Sequence, residues 1–537
     1  MNIRYVSLGL AAAVAIFIGN GCNPSSSKSS APPLPLTKDT IARVHWIGKR
    51  QLGVEANAYY LMRLWGQQAS KDLETQTLNK LSPAPVVLAA QPATANPQTT
   101  AILIRPLLND LLQEESYFAV RQPTNKPAEF VFAIRLNEVR SGIWQTNLAI
   151  LAESLAGTPA RPLGGARAGW RITAPNSENL IEMFREGDWT FLGVARDNNL
   201  LLEESVARAR HYRDPFFFRA ATNDWLEADI DLSRFSGMFF STYSPLVSLA
   251  VNGDGANVLT HADLTFPRAI QAPPQPWNIP TNLIREPLTS FTATRAIQSS
   301  LAGSRPWAAL CGFLGQSNPP PNQACFWSQE NGQFLTYFAA PMPNATDRIH
   351  ELTDRLVNIA NPWLDAHGYV SFARRPDGNG FTWGNLDIVK PFLTSKEVGG
   401  GSFIFGGLLA GGDSTTNSAI RSNLLQDWPA ETNLVYHDWE LTGRRVEPWL
   451  YISQITRTVL RHAQMPMSTA GANWLGNVKA RLGESTTDIT QTGPNQLSFD
   501  RKSTMGLTAP ELHLLIDWLE SPRFPFGLYT LSSPMQQ

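Results

Sequence analysis

The sequence predicts an α+β protein built from two tandem, internally duplicated units, each an antiparallel sheet packed with helices. Three observations predict it. Apolar residues make up 43% of 537 and charged residues 17%, a globular balance with enough apolar surface for more than one core. Strand patterns of period two are interleaved with helical ones. The same order of elements then occurs twice, on either side of the proline-rich stretch QAPPQPWNIP at 271–280.

Each half opens on an alternating strand. In the first it is IARVHWIG, followed by a helical pattern over 54–65; in the second it is LTSFTATR and a shorter helical stretch. A hairpin comes next. SYFAVRQ and EFVFAIR flank PTNKPA, and ACFWSQ and FLTYFAA flank ENGQ. Asn331-Gly332 is a strong two-residue turn signal, because both residues tolerate positive φ. A long helix follows. Val139, Ile143, Leu148, Leu151 and Leu155 form one stripe, and Ile349, Leu352, Leu356 and Ile359 the other, the second opening at Asn344 with Asp347 in its first turn.

Strands resume with GWRITAP and WTFLGVA in the first half. In the second they are HGYVSFARR, FTWGNLDIV and SFIFGGLLA, the first two joined by PDGNG. Helices are expected near 202–210 and 413–425. Each half then reaches an acidic phrase, ATNDWLEADIDLSRFSG or ETNLVYHDWELTGRRVE. This alignment sets Asp229 and Asp231 opposite Asp438 and Glu440. Hairpins are expected about NGDG and TGPNQ, and TAPE is a capping box for a final helix striped by Leu512, Leu515, Ile516 and Leu519. On this reading the first unit is 39–270, the linker 271–283 and the second unit 284–537.

The N-terminus carries an address. Arg4 and the α-amino group precede an apolar run, YVSLGLAAAVAIFI, and then Gly19, Asn20, Gly21 and Cys22. Positive start, short apolar core and small residues are the order of a secretory signal. The run is shorter than the ~20 residues that span a bilayer. The stretch resembles the type II signal peptide of bacterial lipoproteins, matching it at Gly21-Cys22 and departing from it at Gly19 and Asn20. The resemblance implies that residues 1–21 are removed and that Cys22 is lipidated. It implies an exported chain anchored in the cell envelope, facing the periplasm or the exterior. Residues 22–38, rich in Ser and Pro, then read as a flexible tether. The remainder is similar to envelope lipoproteins built from repeated α+β units.

Composition narrows the partners. A formal net charge of −1 leaves no electrostatic footprint for nucleic acid. The expected partners are the membrane, through the lipid, and another envelope protein or polymer. No cofactor is implied.

Candidate chemistry is sparse. Cys311 and Cys325 form an even pair in an exported chain and read as a disulfide, with two unpaired thiols as the alternative. Glu227, Asp229 and Asp231 alternate on one strand face, which reads as a wet acidic face, or as a Ca²⁺ or acid–base site. Asp438 and Glu440 are the matching acids. The eight histidines form no HExxH or paired-His helix, and His437 and Asp438, as strand neighbours, point to opposite faces. The glycine stretches fit neither a dinucleotide fingerprint nor a phosphate loop, and no nucleophile elbow occurs. Of sixteen tryptophans, Trp46, Trp189, Trp327, Trp383 and Trp439 sit in core-like patterns, while Trp277 and Trp363 are expected to be exposed.

Three functions fit: a non-catalytic envelope lipoprotein that binds or scaffolds; a hydrolase of envelope polymers with two carboxylates about 5–10 Å apart in a cleft between the repeats; and a carbohydrate-binding protein using exposed Trp.

Overall fold

The computed structural model describes residues 31–84, 96–164, 167–173, 179–196, 198–219, 223–235, 241–270, 274–284, 287–302, 304–314, 319–329, 336–384, 390–408, 433–459, 469–521 and 524–525. The signal segment, Cys22, the ENGQ turn and the helix expected over 413–425 lie outside these residues.

The strands are β1 (Thr40–Trp46), β2 (Ser116–Arg121), β3 (Glu129–Arg135), β4 (Arg161–Pro162), β5 (Gly169–Thr173), β6 (Leu180–Glu186), β7 (Trp189–Ala195), β8 (Leu226–Asp231), β9 (Leu246–Gly253) and β10 (Val258–Thr265). The second half supplies β11 (Leu288–Arg295), β12 (Gln323–Gln329), β13 (Thr336–Pro341), β14 (Phe372–Arg374), β15 (Phe381–Trp383), β16 (Phe392–Val398), β17 (Gly401–Gly407), β18 (Leu434–Leu441), β19 (Glu484–Gly493) and β20 (Gln496–Ser503). The sequence patterns miss β6 and β16, whose polar and apolar residues do not alternate cleanly.

All these strands pair antiparallel in one sheet. β10 and β20 meet at its centre, with Val258 opposite Ser503 and Thr265 opposite Gln496. Outward from β10 the order is β9, β8, β1, β2, β3, β7, β6, β5, β4. Outward from β20 it is β19, β18, β11, β12, β13, β17, β16, β15, β14. Each strand of one run therefore holds the place of the strand ten later in the other. The described pairings run in a line and do not close on themselves.

Residues directly opposite one another in an antiparallel ladder share a face, so register can be followed across the sheet. From the central pair His261 and Asp500, one row runs through Ala250, Glu227, His45, Tyr117, Ala133 and Phe191. The other way it runs through Asp488, His437, Ala293, Cys325, Ala339 and Phe405. The face that carries this row is here the front, the other the back. The row puts Ala133 level with Ala339 and Phe191 with Phe405. The register shift in β1 lies between Thr40 and Ala42, and that in β11 between Leu288 and Ser290. Counted from His45 and Ala293, these are the same steps.

That register corrects the alignment of the acidic phrases. Asp229 lies opposite Arg43, on the front, whereas Asp438 lies opposite Thr292, on the back. The sequence match is out by one residue, and with a side-chain period of two a slip of one exchanges the faces.

Helices α1 (Tyr59–Trp65), α2 (Gln68–Leu81), α3 (Pro97–Gln113), α4 (Glu138–Ala156) and α5 (Leu200–His211) belong to the first half. The second has α6 (Arg305–Leu314), α7 (Ala345–Arg355), α8 (Thr442–Val459), α9 (Ala470–Val478) and α10 (Ala509–Glu520). α10 starts at the expected Thr508–Glu511 capping box. Asn344 instead takes a left-handed conformation before α7 and makes no side-chain cap.

The largest core lies on the back of the first half. Ala42, Val44, Phe118, Val120, Phe132 and Ile134 pack there against Leu78, Ile104 and Trp144. Val446, Trp474, Leu475, Leu512 and Ile516, from α8–α10, complete the same core. Trp474 donates its indole N–H to Ser70 of α2 at 3.0 Å. The two halves thus share apolar contacts as well as strand pairing. Among the described residues no helix is long and apolar enough to cross a membrane.

Candidate functional site

The acids singled out by the sequence do not form a wet face. Glu227 is 1% exposed and Asp229 6%. The front of the first half is covered by α5, by Phe216 and Phe218, and by Leu34. Burial of a carboxylate requires a partner. Asp229 accepts a 2.6 Å hydrogen bond from the Arg43 guanidinium. Arg43 also donates to the carbonyls of Leu34 and Pro35 and lies over the Phe218 ring. Glu227 accepts the Phe218 N–H at 2.9 Å, and Asp231 caps the short turn at Ser233.

Beside them His45 is fully buried between Glu115 (3.1 Å) and Glu227 (3.5 Å). Burial pushes its imidazole pKa down, but the hydrogen bonds to and charges of both carboxylates outweigh this and hold it above the ordinary value. Burial pushes Glu115 up, and the Arg135 charge with the His45 hydrogen bond more than offsets it, leaving Glu115 low. The group is a buried charge layer under a cover, in which Glu227 Oε1 has no hydrogen-bond partner and His45 Nδ1 has none closer than Glu227 Oε2 at 3.5 Å.

The segment from residue 32 is part of that cover. Arg208 donates to the Pro32 carbonyl at 2.6 Å, and the Leu34 N–H donates to Phe217 O at 3.0 Å. The end of the expected tether is therefore strapped to the body. Prolines supply fixed φ there, and their carbonyls serve as acceptors.

Asp438 and Glu440 sit on the back of the second half. Asp438 accepts from the Thr292 hydroxyl at 2.6 Å, and Glu440 accepts the Ala509 N–H at the start of α10 at 2.7 Å. Arg445 of α8 reaches Ser290 and Ser328 beside them. Burial pushes both carboxyls above their usual range, partly countered by those donors and by Arg445. These acids and the Asp229 group face opposite sides of the sheet, so the four do not converge.

The expected Cys311–Cys325 disulfide is not formed. Cys325 points to the front, against Ala339 O at 3.6 Å, and its buried thiol is pushed up to about 12. Cys311 is on α6, which packs with α7, and α7 bonds Ser395 and Ser402 on the back. The sheet lies between them. Spacing in sequence could not show this.

Across the middle of the sheet the front face is open. His261 pairs with Asp500 at 2.7 Å and His437 with Asp488 at 2.6 Å. A shallow hollow of about 420 Å³ lies over this seam, lined by Asn252, His261, Asp488, Asp500 and Lys502 among others. The described residues contain no group of three or more His, Cys, Asp or Glu arranged to hold a metal.

The tryptophan expectations need two corrections. Trp277 is partly buried, packed on the front core of the second half under the Arg295 guanidinium, 4.5 Å away. Trp383, read as core, is 49% exposed, because its strand is short and lies next to the sheet edge. Trp363 is exposed as expected, at 57%. Tyr369 (60%) joins them. Trp363 stacks on His367 (centroids 4.3 Å, 29°) and on Tyr369 (5.8 Å, 15°), while Trp383 stacks on Phe372 (5.6 Å, 24°). Sequence reading missed Tyr369, His367 and Trp383. The available signal was PDGNG, which places both flanking strands in a short peripheral hairpin.

No protein-family model, curated protein or solved structure matches this chain.

Proposed function

We propose that this chain is an exported envelope protein, held to a membrane by lipid on Cys22, whose body binds another envelope protein or polymer and catalyses no reaction. The anchor rests on the sequence around Gly21-Cys22. The observation that carries the non-catalytic reading is the fate of the acids. Asp229 and Glu440 are buried and Asp438 half-buried, each is hydrogen-bonded to an internal partner, and Asp229 lies on the front of the sheet while Asp438 and Glu440 lie on its back. A hydrolase with two acids flanking one bond needs them in one cleft.

The strap has a consequence for this reading. Pro32 lies ten positions after Cys22. At full extension this span reaches about 35 Å. A lipid on Cys22 therefore keeps the covered front of the first half close to the membrane.

We also propose that the body arose by duplication of a ten-stranded unit. The matching strand order, the equivalent register shifts in β1 and β11, and the Ala133/Ala339 and Phe191/Phe405 matches support it.

The test of the anchor is metabolic labelling with a clickable palmitate analogue, wild type against Cys22→Ala. Label on the wild type and none on the variant is expected. An unlabelled wild type with a shortened N-terminus would remove the anchor from the reading.

A further inference from the structure

We propose that the aromatic corner at the outer edge of the second half is a ligand site and that its ligand is a neutral saccharide. This names a ligand class for the binding role proposed above and rests on that reading for its setting.

The corner is built as a fixed platform. Asn361 clamps Phe372 twice, donating to its carbonyl at 2.7 Å and accepting its N–H at 2.8 Å. The Tyr369 N–H bonds Leu364 O at 2.8 Å, and His367 Nδ1 bonds Trp363 O at 2.7 Å. The Trp383 indole N–H donates to Val370 O at 3.0 Å. Trp383 therefore spends its polar atom internally and offers a ligand only its ring. Rings set in place before binding lose little entropy when a ligand arrives.

Exposure of large rings needs a reason, because burying them is among the strongest stabilising terms a chain has. The other half shows the alternative. β5 holds the place of β15, and by register Ile172, 1% exposed, holds the place of Trp383, as Trp170 holds that of the buried Phe381. A side chain at this position can thus be buried in this architecture, and in the second half it is not.

The chemistry of the rim selects the ligand class. Near-parallel aromatic faces stack on the C–H faces of pyranose rings. Asp365 and Ser371, hydrogen-bonded to each other at the rim, have acceptor and donor capacity for hydroxyls. Of the nearby cations, Arg374 pairs with Asp354 and Arg375 with Asp377, which leaves the exposed Lys390 beside Pro391. An anionic bilayer surface attracts clusters of unpaired Lys and Arg, and this rim has Asp365, Asp354 and Asp377 against the single exposed Lys390. A neutral, hydroxyl-rich ligand meets both requirements.

The experiment titrates the detergent-solubilised full chain with cellohexaose and with chitohexaose, read by tryptophan fluorescence and calorimetry. Saturable binding of at least one is expected. Trp363→Ala and Trp383→Ala should each weaken it by about tenfold, the scale of one lost ring stack. Trp363→Phe should keep most of the affinity, and Trp363→Leu should behave like the alanine variant. Circular dichroism checks that each variant is folded. No binding of either oligomer by folded wild type at millimolar concentration overturns the proposal, as does wild-type affinity in Trp363→Leu. In a Cys22→Ala background, which removes the anchor, flotation with phosphatidylglycerol vesicles that is lost in Trp363→Ala but kept in Trp363→Leu would assign the corner to lipid, and also overturns it. A missing label at Cys22 would sink the anchor and leave this titration unaffected.

Discussion

The two halves connect their strands in the same order and yet place their polar residues on opposite faces. In the first half the back is apolar under helices, and the front carries the buried Arg43–Asp229 and His45–Glu115–Glu227 groups beside an apolar core of Tyr117, Ala133 and Phe191. In the second half the apolar core is on the front, with Phe291, Trp327, Tyr337 and Phe403, and the back carries Asp438, Glu440 and Arg445. Strand order and register therefore leave the chemistry of each face free. What settles it is the cover. The first half lays α2–α4 on its back and α5 on its front, while the second lays the 277–284 segment on its front and a polar stretch of α8 on its back.

The largest expected difference lies at a matched phenylalanine. Phe118 pairs with Phe132, and Phe326 pairs with Phe338 at the equivalent step. Phe118 is 3% exposed and Phe326 45%. Phe118→Ala should cost about 3–5 kcal/mol and Phe326→Ala about 1 kcal/mol in urea unfolding. Equal losses would mean that Phe326 is covered in solution.

The acids should separate as clearly. Asp229→Ala strands a buried guanidinium and should cost about 3–5 kcal/mol. Asp438→Asn keeps an acceptor for Thr292 and removes a charge that burial disfavours, so it should be neutral or stabilising at pH 7. Because the folded pKa of Asp438 is raised, that benefit should fade as pH falls toward the ordinary value of ~3.8. A large loss in Asp438→Asn would show that the second half also depends on an ionised acid.

The smallest effect is a slope. The folded pKa of His45 is raised, so its protonated form contributes stability fully below about pH 6.5, and this is lost as pH rises through the folded value. Wild type should lose stability relative to His45→Gln over that window, at no more than about 1.4 kcal/mol per pH unit. Glu115, held low, acts on the acid side, where stability is lost as pH falls below about 4.5. A flat difference between wild type and His45→Gln above pH 6.5 would remove the charged imidazole from the layer.

Much of the fold was legible where periodicity was long. α4, α5 and α10, and the β9–β10 and β19–β20 hairpins, follow patterns that a dozen residues carry. α2, α3, α8 and α9 were missed. α2 is largely polar and gains its helix from tertiary contacts, through Leu73 and Leu78. The candidate site was legible only in part. Trp363 follows a proline at a helix end and could be read as exposed. Trp383 reads as a strand residue, and only its neighbours show that the strand is three residues long and peripheral.

The sequence by itself determined the strands and helices whose periodicity is clear and that much of their order occurs twice, because local periodicity and turn chemistry act over a few residues. It also carries the Gly21-Cys22 signal on which the proposed anchor rests. Tertiary structure alone decided that β10 and β20 join the halves into one sheet, that Asp229 and Asp438 face opposite ways, and that Cys311 and Cys325 stay apart. Each of these depends on register and on what covers a face. A shift of one residue, invisible to composition and nearly invisible to pattern, reverses the side of the sheet on which a charge is placed.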